Sequence, residues 1–245
     1  MTQPAGAAAP GAEPGVFELL ETGEMTVHGR FAGSSNTTLL VSCTLGDEEL
    51  LAVYKPARGE RPLWDFPSGL HRREVAAYVL SETLGWDVVP ETIERHEAPL
   101  GTGSLQRFVP EDGESHYFTL KDEARWRLPL VTMATFDVVA NNADRKSGHV
   151  LLAEDRLWGI DNGLCFHCDP KLRTVIWDFA GEPLPDSLRE DLEAFVAAGL
   201  PPKLCALLDD EEQDAVLGRA RRLVKRAELP RPADDDWRPY PWPLV

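Results

Sequence analysis

The sequence predicts an α+β chain in two lobes: a small antiparallel β-lobe carrying one helix, then a larger, mainly α-helical lobe. Three observations lead there. Segments rich in β-branched and apolar residues crowd the first hundred or so positions. One helical pattern, LHRREVAAYVLSETLG, interrupts them. From about residue 184 the pattern is helical throughout, and no internal repeat appears. A chain of 245 residues is long enough for one large domain or two small lobes with a cleft between them.

Taken in order, residues 1–16 form an Ala/Pro/Gly-rich tail without the basic start and apolar core of a secretory leader. MTVHGRF, TTLLVSCTL and ELLAVYKP then read as three strands, separated by AGSSN at 32–36 and GDE at 46–48, so an antiparallel meander is expected. RGERPLWDFPSG is a loop. The helix after it ends at Gly85, in the position of a C-terminal cap. Its positions 70, 74, 77, 78, 81 and 84 share a face that Leu70, Ala77, Tyr78 and Leu84 make apolar, with Glu74 set in it. A carboxylate on such a stripe needs a cation. Lys55, closing the strand LLAVYK, is one candidate; Arg72, Arg73 and His71 on the helix itself are the others. WDVVPETIERH and GSLQRFVPE continue the strand signal, with prolines at the strand ends. Residues 129–140 form an apolar helix. HVLLAE and LWGIDN make a hairpin around Asp155-Arg156. Three helical stretches follow, DSLREDLEAFVAAG, PPKLCALL and DDEEQDAVLGRARRLVKRAEL, and the last is acidic at its start and basic at its end, as its dipole favours. Trp177 and Phe179 are expected to pack in this lobe. The boundaries expected are therefore a disordered tail at 1–16, a first lobe at 17–110, a second at 111–229 and a proline-rich tail at 230–245, docked loosely or mobile.

Composition narrows the functions. Lysine and arginine number 25 against 41 aspartates and glutamates, a net charge of −16. That balance repels nucleic acid and anionic membranes at long range, and no stretch has the ~20 apolar residues of a membrane span. A cytoplasmic location, no nucleic-acid partner and no stable membrane association are expected. Cys165 and Cys168 form a CxxC around His167. Structural zinc takes four ligands and no second pair stands nearby, so thiols without metal are expected.

Four polar groups stand out against this apolar frame: Lys55 at a strand end, Glu74 on a helix face, Asp144 in the loop NNADRK, and Asp161 in GIDNG. Each has an ordinary reading alone, since Asp, Asn and Gly cluster in turns. Together they supply what phosphoryl transfer from a nucleotide needs. Those parts are a cation on the phosphates, a carboxylate holding that cation, a metal-binding carboxylate, and one beside the nucleophile.

The stretches SSNTTLLVSCTLGDEELLAVYKPARGE, EVAAYVLSETLGWDVVP, GSLQRFVPE and NNADRK…GIDNGLCF, over roughly residues 25–168, resemble the phosphatidylinositol 3-/4-kinase superfamily. The likeness is greatest to the type II phosphatidylinositol 4-kinases and the bacterial proteins sharing their motifs. The resemblance implies a two-lobed protein-kinase-like fold that uses ATP with Mg²⁺ or Mn²⁺. It places Lys55 on the α/β-phosphates with Glu74 as its partner, and the backbone of Ser34, Ser35 and Asn36 over the phosphates. Phe108 and Val109 fall at the hinge that pairs with adenine, Asp144 is the catalytic aspartate, and Asp161 binds metal. One position departs: the metal-binding asparagine of the family is His149 here, an imidazole better suited to softer ions than Mg²⁺. That leaves manganese use, a single metal, or nucleotide binding without transfer open, with Asn141 and Asn142 as substitute amide ligands. Arg145 is expected to orient its loop by pairing with a carboxylate.

The acceptor implied is less specific. Lipid kinases of the superfamily place basic residues after the DNG segment, and only Lys171, Arg173 and His167 stand there. A soluble hydroxyl acceptor, protein or small molecule, is therefore favoured over a lipid. The alternatives are a nucleotide-binding pseudokinase acting as a regulatory module, a phosphatidylinositol kinase, or an AMP transferase.

Overall fold

The computed structural model describes residues 14–32, 34–111, 113–232 and 239–244; most of the N-terminal tail and part of the C-terminal one lie outside them. Among the described residues a short helix, α1 (Val16–Thr22), comes first, where no element was expected. It buries Leu19 and Leu20 on the sheet that follows. Strands β1 (Glu24–Arg30), β2 (Leu39–Leu45) and β3 (Glu48–Pro56) form the expected meander. Helix α2 (Leu70–Leu84) leads to β4 (Thr92–Arg95) and β5 (Gly103–Arg107). The five strands are antiparallel in the order β1-β2-β3-β5-β4. Their core contains Val41, Cys43, Ala52, Tyr54 and Leu105.

The strand expected from Trp86 begins only at Thr92. The N–H groups of Val88 and Val89 donate instead to the buried Ser81 Oγ, at 2.8 and 3.3 Å. Pro90 has no N–H for a ladder.

The second lobe holds α3 (Tyr117–Leu120), α4 (Arg127–Ala140), the hairpin β6 (Val150–Ala153) and β7 (Arg156–Gly159), and the helices α5 (Asp186–Ala198), α6 (Pro202–Cys205) and α7 (Asp210–Arg226). The hairpin turns one residue earlier than expected, at Glu154-Asp155, both with φ 55°. Two successive left-handed residues match the twist of the paired strands, and Arg156 opens β7. Phe179 lies in the large core as expected, while Trp177 is half-buried and donates to Pro239 O at 2.9 Å. Together these elements form a two-lobed α+β architecture of the protein-kinase type.

Helix α2 joins the lobes. It is buried nearly all round because it packs on β4 and β5 on one side and on α4, α5 and α6 on the other. Its N-terminus has no capping side chain of its own, since the cap position is Gly69 at φ 94°. Glu60 fills that role from the preceding loop, accepting N–H bonds from Gly69 (2.9 Å) and His71 (2.8 Å). A carboxylate there satisfies orphan donors and suits the positive end of the helix dipole. Gly85 closes the helix in a left-handed cap at φ 66°, as its sequence position predicts.

Candidate active site

Three local devices bring the expected polar groups together. The first is the end of β3. Lys55 projects from the strand and pairs with Glu74 on α2; its Nζ also lies 2.7 Å from Asp161 Oδ1. Desolvation disfavours the charged ammonium, but the Asp161 and Glu74 carboxylates outweigh it and hold its pKa above the usual lysine value. The rival partners for Glu74 are engaged elsewhere: Arg73 with Glu212, Arg72 with the Ala206 carbonyl, and His71 with Glu60.

The second device is the turn Asp161-Asn162-Gly163. Asp161 adopts φ 57°, a left-handed conformation that a short polar side chain tolerates. The turn leaves the Asp161 side chain 51% exposed and buries Asn162 completely. The Asn162 N–H donates to Glu74 Oε2 at 2.9 Å, so Glu74 holds both Lys55 and the aspartate turn. Glycine at 163 eases that approach, because a Cβ there would come within 3.2 Å of Glu74 Oε1 and push it back.

The third is the loop after α4, which is built on a buried ion pair. Arg145 and Asp137 are both fully buried. Arg145 Nε bonds Asp137 Oδ2 at 3.0 Å, and Nη2 bonds Oδ1 at 2.9 Å. The same guanidinium donates to the Ile160 carbonyl (2.8 Å) and to Asn162 Oδ1 (2.7 Å). One side chain thus ties α4, the Asp144 loop and the Asp161 turn into one rigid unit. The expectation that Arg145 orients its loop through a carboxylate holds, and Asp137 is that carboxylate.

On this frame Asp144, His149 and Asp161 converge, with one ligand-capable atom from each lying within 4.8 Å of the others. His149 Nε2 is 3.4 Å from Asp161 Oδ2. Burial lowers its pKa to about 4, against the pull of Asp161, so the imidazole is neutral at pH 7 and free to ligate. Asp144 is 3.0 Å from Lys146 Nζ. Burial pushes its pKa up to about 6 even though Lys146 opposes the shift, with a further push from Asp161. Lys55 pulls the Asp161 carboxyl well below the usual range. Two carboxylates and one neutral imidazole at this spacing fit a divalent cation, with the imidazole favouring Mn²⁺ over Mg²⁺.

These groups line a cleft of 940 Å³ between the lobes, together with Ser34, Ser35 and Asn36. Its size reaches the upper end of the ~300–1,000 Å³ range of small-molecule sites. Asn36 Oδ1 accepts the Arg61 N–H at 2.9 Å, which fastens the loop to the cleft wall.

Other residues fall elsewhere. Asn141 and Asn142 do not serve as spare metal ligands. The Asn141 amide donates to the His167 and Asp169 carbonyls and accepts the Lys171 N–H, while Asn142 bonds Asp137 and the Asp144 N–H. Phe108 donates its N–H to Leu51 O at 2.9 Å, and Val109 packs with Leu151, Ala153 and Trp158; neither lines the cleft. Cys165 is buried in the core and Cys168 is exposed beside His167 and Asp169.

The sequence reading missed Glu60, Asp137 and the C-terminal segment. Pro239 O accepts from the Thr174 N–H and Leu244 O from the Ser147 N–H. This bonding lays Tyr240, Pro241, Trp242 and Pro243 along the cleft, where Tyr240 is 50% and Trp242 87% exposed. Asp137 had a signal, a carboxylate inside LPLVTMATFDVVA that needs a buried cation. Glu60 had a weaker one, a helix start with no cap of its own.

No family model matches the chain. "Protein Rv2133c" of Mycobacterium tuberculosis is 38% identical over 263 residues, covering 92% of this chain and 94% of that protein. Among solved structures, hydra Fam20 with sugar superposes with a TM-score of 0.55 over 86% of this chain and 88% of its own, at 15% identity. The Helicobacter pylori proinflammatory kinase CtkA gives a TM-score of 0.49 at 11% identity, over 85% and 97% of the two chains. At such identities the structural likeness speaks for the fold alone. Among the described residues, no helix is long and apolar enough to cross a membrane. Its identity to the mycobacterial protein along nearly the whole of both chains places this protein in the family of Protein Rv2133c.

Proposed function

We propose that the protein is an ATP-dependent phosphotransferase that moves the γ-phosphoryl group to a hydroxyl acceptor. One observation carries this reading: Lys55 is gripped by Glu74 and Asp161 at the floor of the cleft, with Asp144 and His149 beside them. A half-buried cation held by one carboxylate on a helix and a second on an opposing turn is poised for nucleotide phosphates.

In this reading Lys55 keeps Glu74 and exchanges Asp161 for the α/β-phosphates. Ser34, Ser35 and Asn36 cover those phosphates, and Arg61 adds a further cation at the wall. Asp161 and His149 would hold a divalent cation, which would supply positive charge against the phosphates. Asp144 accepts the proton as the acceptor oxygen attacks γ-phosphorus and ADP leaves. Its raised pKa makes it a usable base near neutral pH. Phe108 donates its N–H to Leu51 O and Val109 packs against Leu151, Ala153 and Trp158, so this reading gives neither of them the adenine contact. The resemblance to the phosphatidylinositol 3-/4-kinase superfamily supports the same roles. The acceptor proposed is soluble, a protein or small molecule, entering between Asp144 and the Tyr240–Pro243 segment.

The test is release or transfer of label from [γ-³²P]ATP with Mn²⁺ or Mg²⁺. Transfer that disappears in Asp144→Ala supports the reading. Nucleotide binding without turnover in the native chain would instead favour a pseudokinase, and product label from α-³²P an AMP transferase.

A further inference from the structure

A second cavity, of 170 Å³, opens on the large lobe against α4, α7 and the segment that follows the Asp161 turn. Its walls include the apolar Val138, Leu172 and Leu223. Its charged lining is Arg219, Arg222 and Arg226 from one face of α7, against the single carboxylate Glu228. Three arginines around one small opening run against the −16 charge of the whole chain.

Arg219 is the group that points to a ligand. It is 7% exposed, and its Nε and Nη1 donate to the Val139 (2.8 Å) and His167 (3.3 Å) carbonyls. Its Nη2 is buried and makes no hydrogen bond. Natural structures rarely leave a buried charged donor unmatched, because the desolvation cost then goes uncompensated. Burial and then the Arg222 charge bring the Arg219 pKa down to about 10, a strain that an anion would relieve. Arg222 and Arg226 are exposed and line the same cavity. A cavity of about 150 Å³ admits benzene, so this volume takes an oxyanion with a short apolar body.

We propose that this cavity binds a small organic anion, its phosphate or carboxylate group between Arg222 and Arg226 with the Arg219 guanidinium charge behind them, and its apolar body against Val138, Leu172 and Leu223. The site is separate from the interlobe cleft, and its assignment does not depend on the proposed activity. It does back onto the catalytic loop. The His167 carbonyl that Arg219 holds is the one that Asn141, at the end of α4, also holds. An occupied cavity therefore fixes the segment behind Asp161.

Calorimetric titration of the full chain with benzoate and with phenyl phosphate, at constant ionic strength, tests the proposal and distinguishes the two head groups. Saturable binding of at least one anion, one per chain, is expected, with benzyl alcohol giving none. Binding should survive Lys55→Met, which separates it from the nucleotide cleft. It should weaken at least about tenfold in Arg222→Gln/Arg226→Gln, since hydrogen bonds to charged groups are lost. That double variant changes only exposed side chains, so it keeps the test valid if Arg219→Met fails to fold. Absence of saturable binding by both anions, or binding undiminished in the double variant, overturns the assignment.

Discussion

Replacing Asp137 with alanine leaves Arg145 as an unpaired charge in a fully buried position. The guanidinium loses its bonds to both carboxylate oxygens and keeps only the Ile160 and His149 carbonyls and Asn162 Oδ1. Removing one partner of a buried pair costs about 3–5 kcal/mol, a large part of the ~5–15 kcal/mol that holds a typical domain together. In a chain of this length each kcal/mol moves Tm by roughly 2–4 °C, so Asp137→Ala should melt about 6–20 °C lower. Differential scanning calorimetry measures this directly. The double variant Asp137→Leu/Arg145→Met, which removes both charges, should recover part of the loss in Tm. It should not recover turnover, because the Asp144 loop and the Asp161 turn lose their common tie. A drop of less than about 3 °C in Asp137→Ala would refute the claim that this pair frames the site.

Other perturbations follow from the same geometry. Burial outweighed by hydrogen bonds from the His71 ring and the N–H groups of His71, Gly69 and Leu70 sets the Glu60 pKa at about 2. A depressed carboxylate pKa contributes stability above its unfolded value near 4.5, lost as pH falls towards 2. Glu60→Gln should therefore flatten the acid limb of a stability-versus-pH curve by about 3 kcal/mol, and an unchanged limb would remove Glu60 from its capping role. Asp144 must be ionised to accept a proton, so turnover should fall as pH drops through about 6; a rate flat from pH 5 to 8 would exclude it as the base. Lys55→Met should stay folded and lose nucleotide affinity, and an unfolded variant would make Lys55 structural instead. Ending the chain at residue 238 removes Leu244 O from the Ser147 N–H and the aromatic wall of Tyr240 and Trp242. It should lower transfer to acceptor while leaving ATP-dependent stabilisation intact, and equal loss of both would show that the segment serves the whole fold.

The fold was readable where local pattern and tertiary demand agree. The β1–β3 meander, the α2 helix ending at Gly85, the apolar α4 and the three late helices all follow from periodicity and turn residues. The pattern was silent or misleading where distant residues decide. Val88 and Val89 look like a strand but answer to Ser81. Helix α1 is too short to show a period. At the site, Lys55, Glu74 and Asp161 stood out because each polar residue interrupts an apolar run, whereas Asp144 and His149 lie in the polar loop NNADRKSGH and stood out through the motifs of the superfamily the chain resembles. Asn141 and Asn142 looked equally available as ligands, yet the partners of the Asn141 amide arrive only once the 165–171 segment folds over α4, and the Asn142 amide is taken by Asp137 and the Asp144 N–H. The Tyr240–Pro243 wall was illegible for the same reason, since its bonds to Ser147 and Thr174 span some 65 to 97 residues of sequence.

The central claim is that Lys55, Asp161 and His149 form a metal–nucleotide site. Thermal stability with ATP, measured separately with Mn²⁺ and Mg²⁺ for the native chain and for Asp161→Ala, tests it most directly. Ligand at ~100 times its dissociation constant adds ~2.7 kcal/mol, or roughly 5–11 °C at this chain length. The account predicts that rise in the native chain, larger with Mn²⁺ than with Mg²⁺ because His149 stands at the metal, and none in Asp161→Ala. No rise with either ion, or an equal rise in Asp161→Ala, would contradict it.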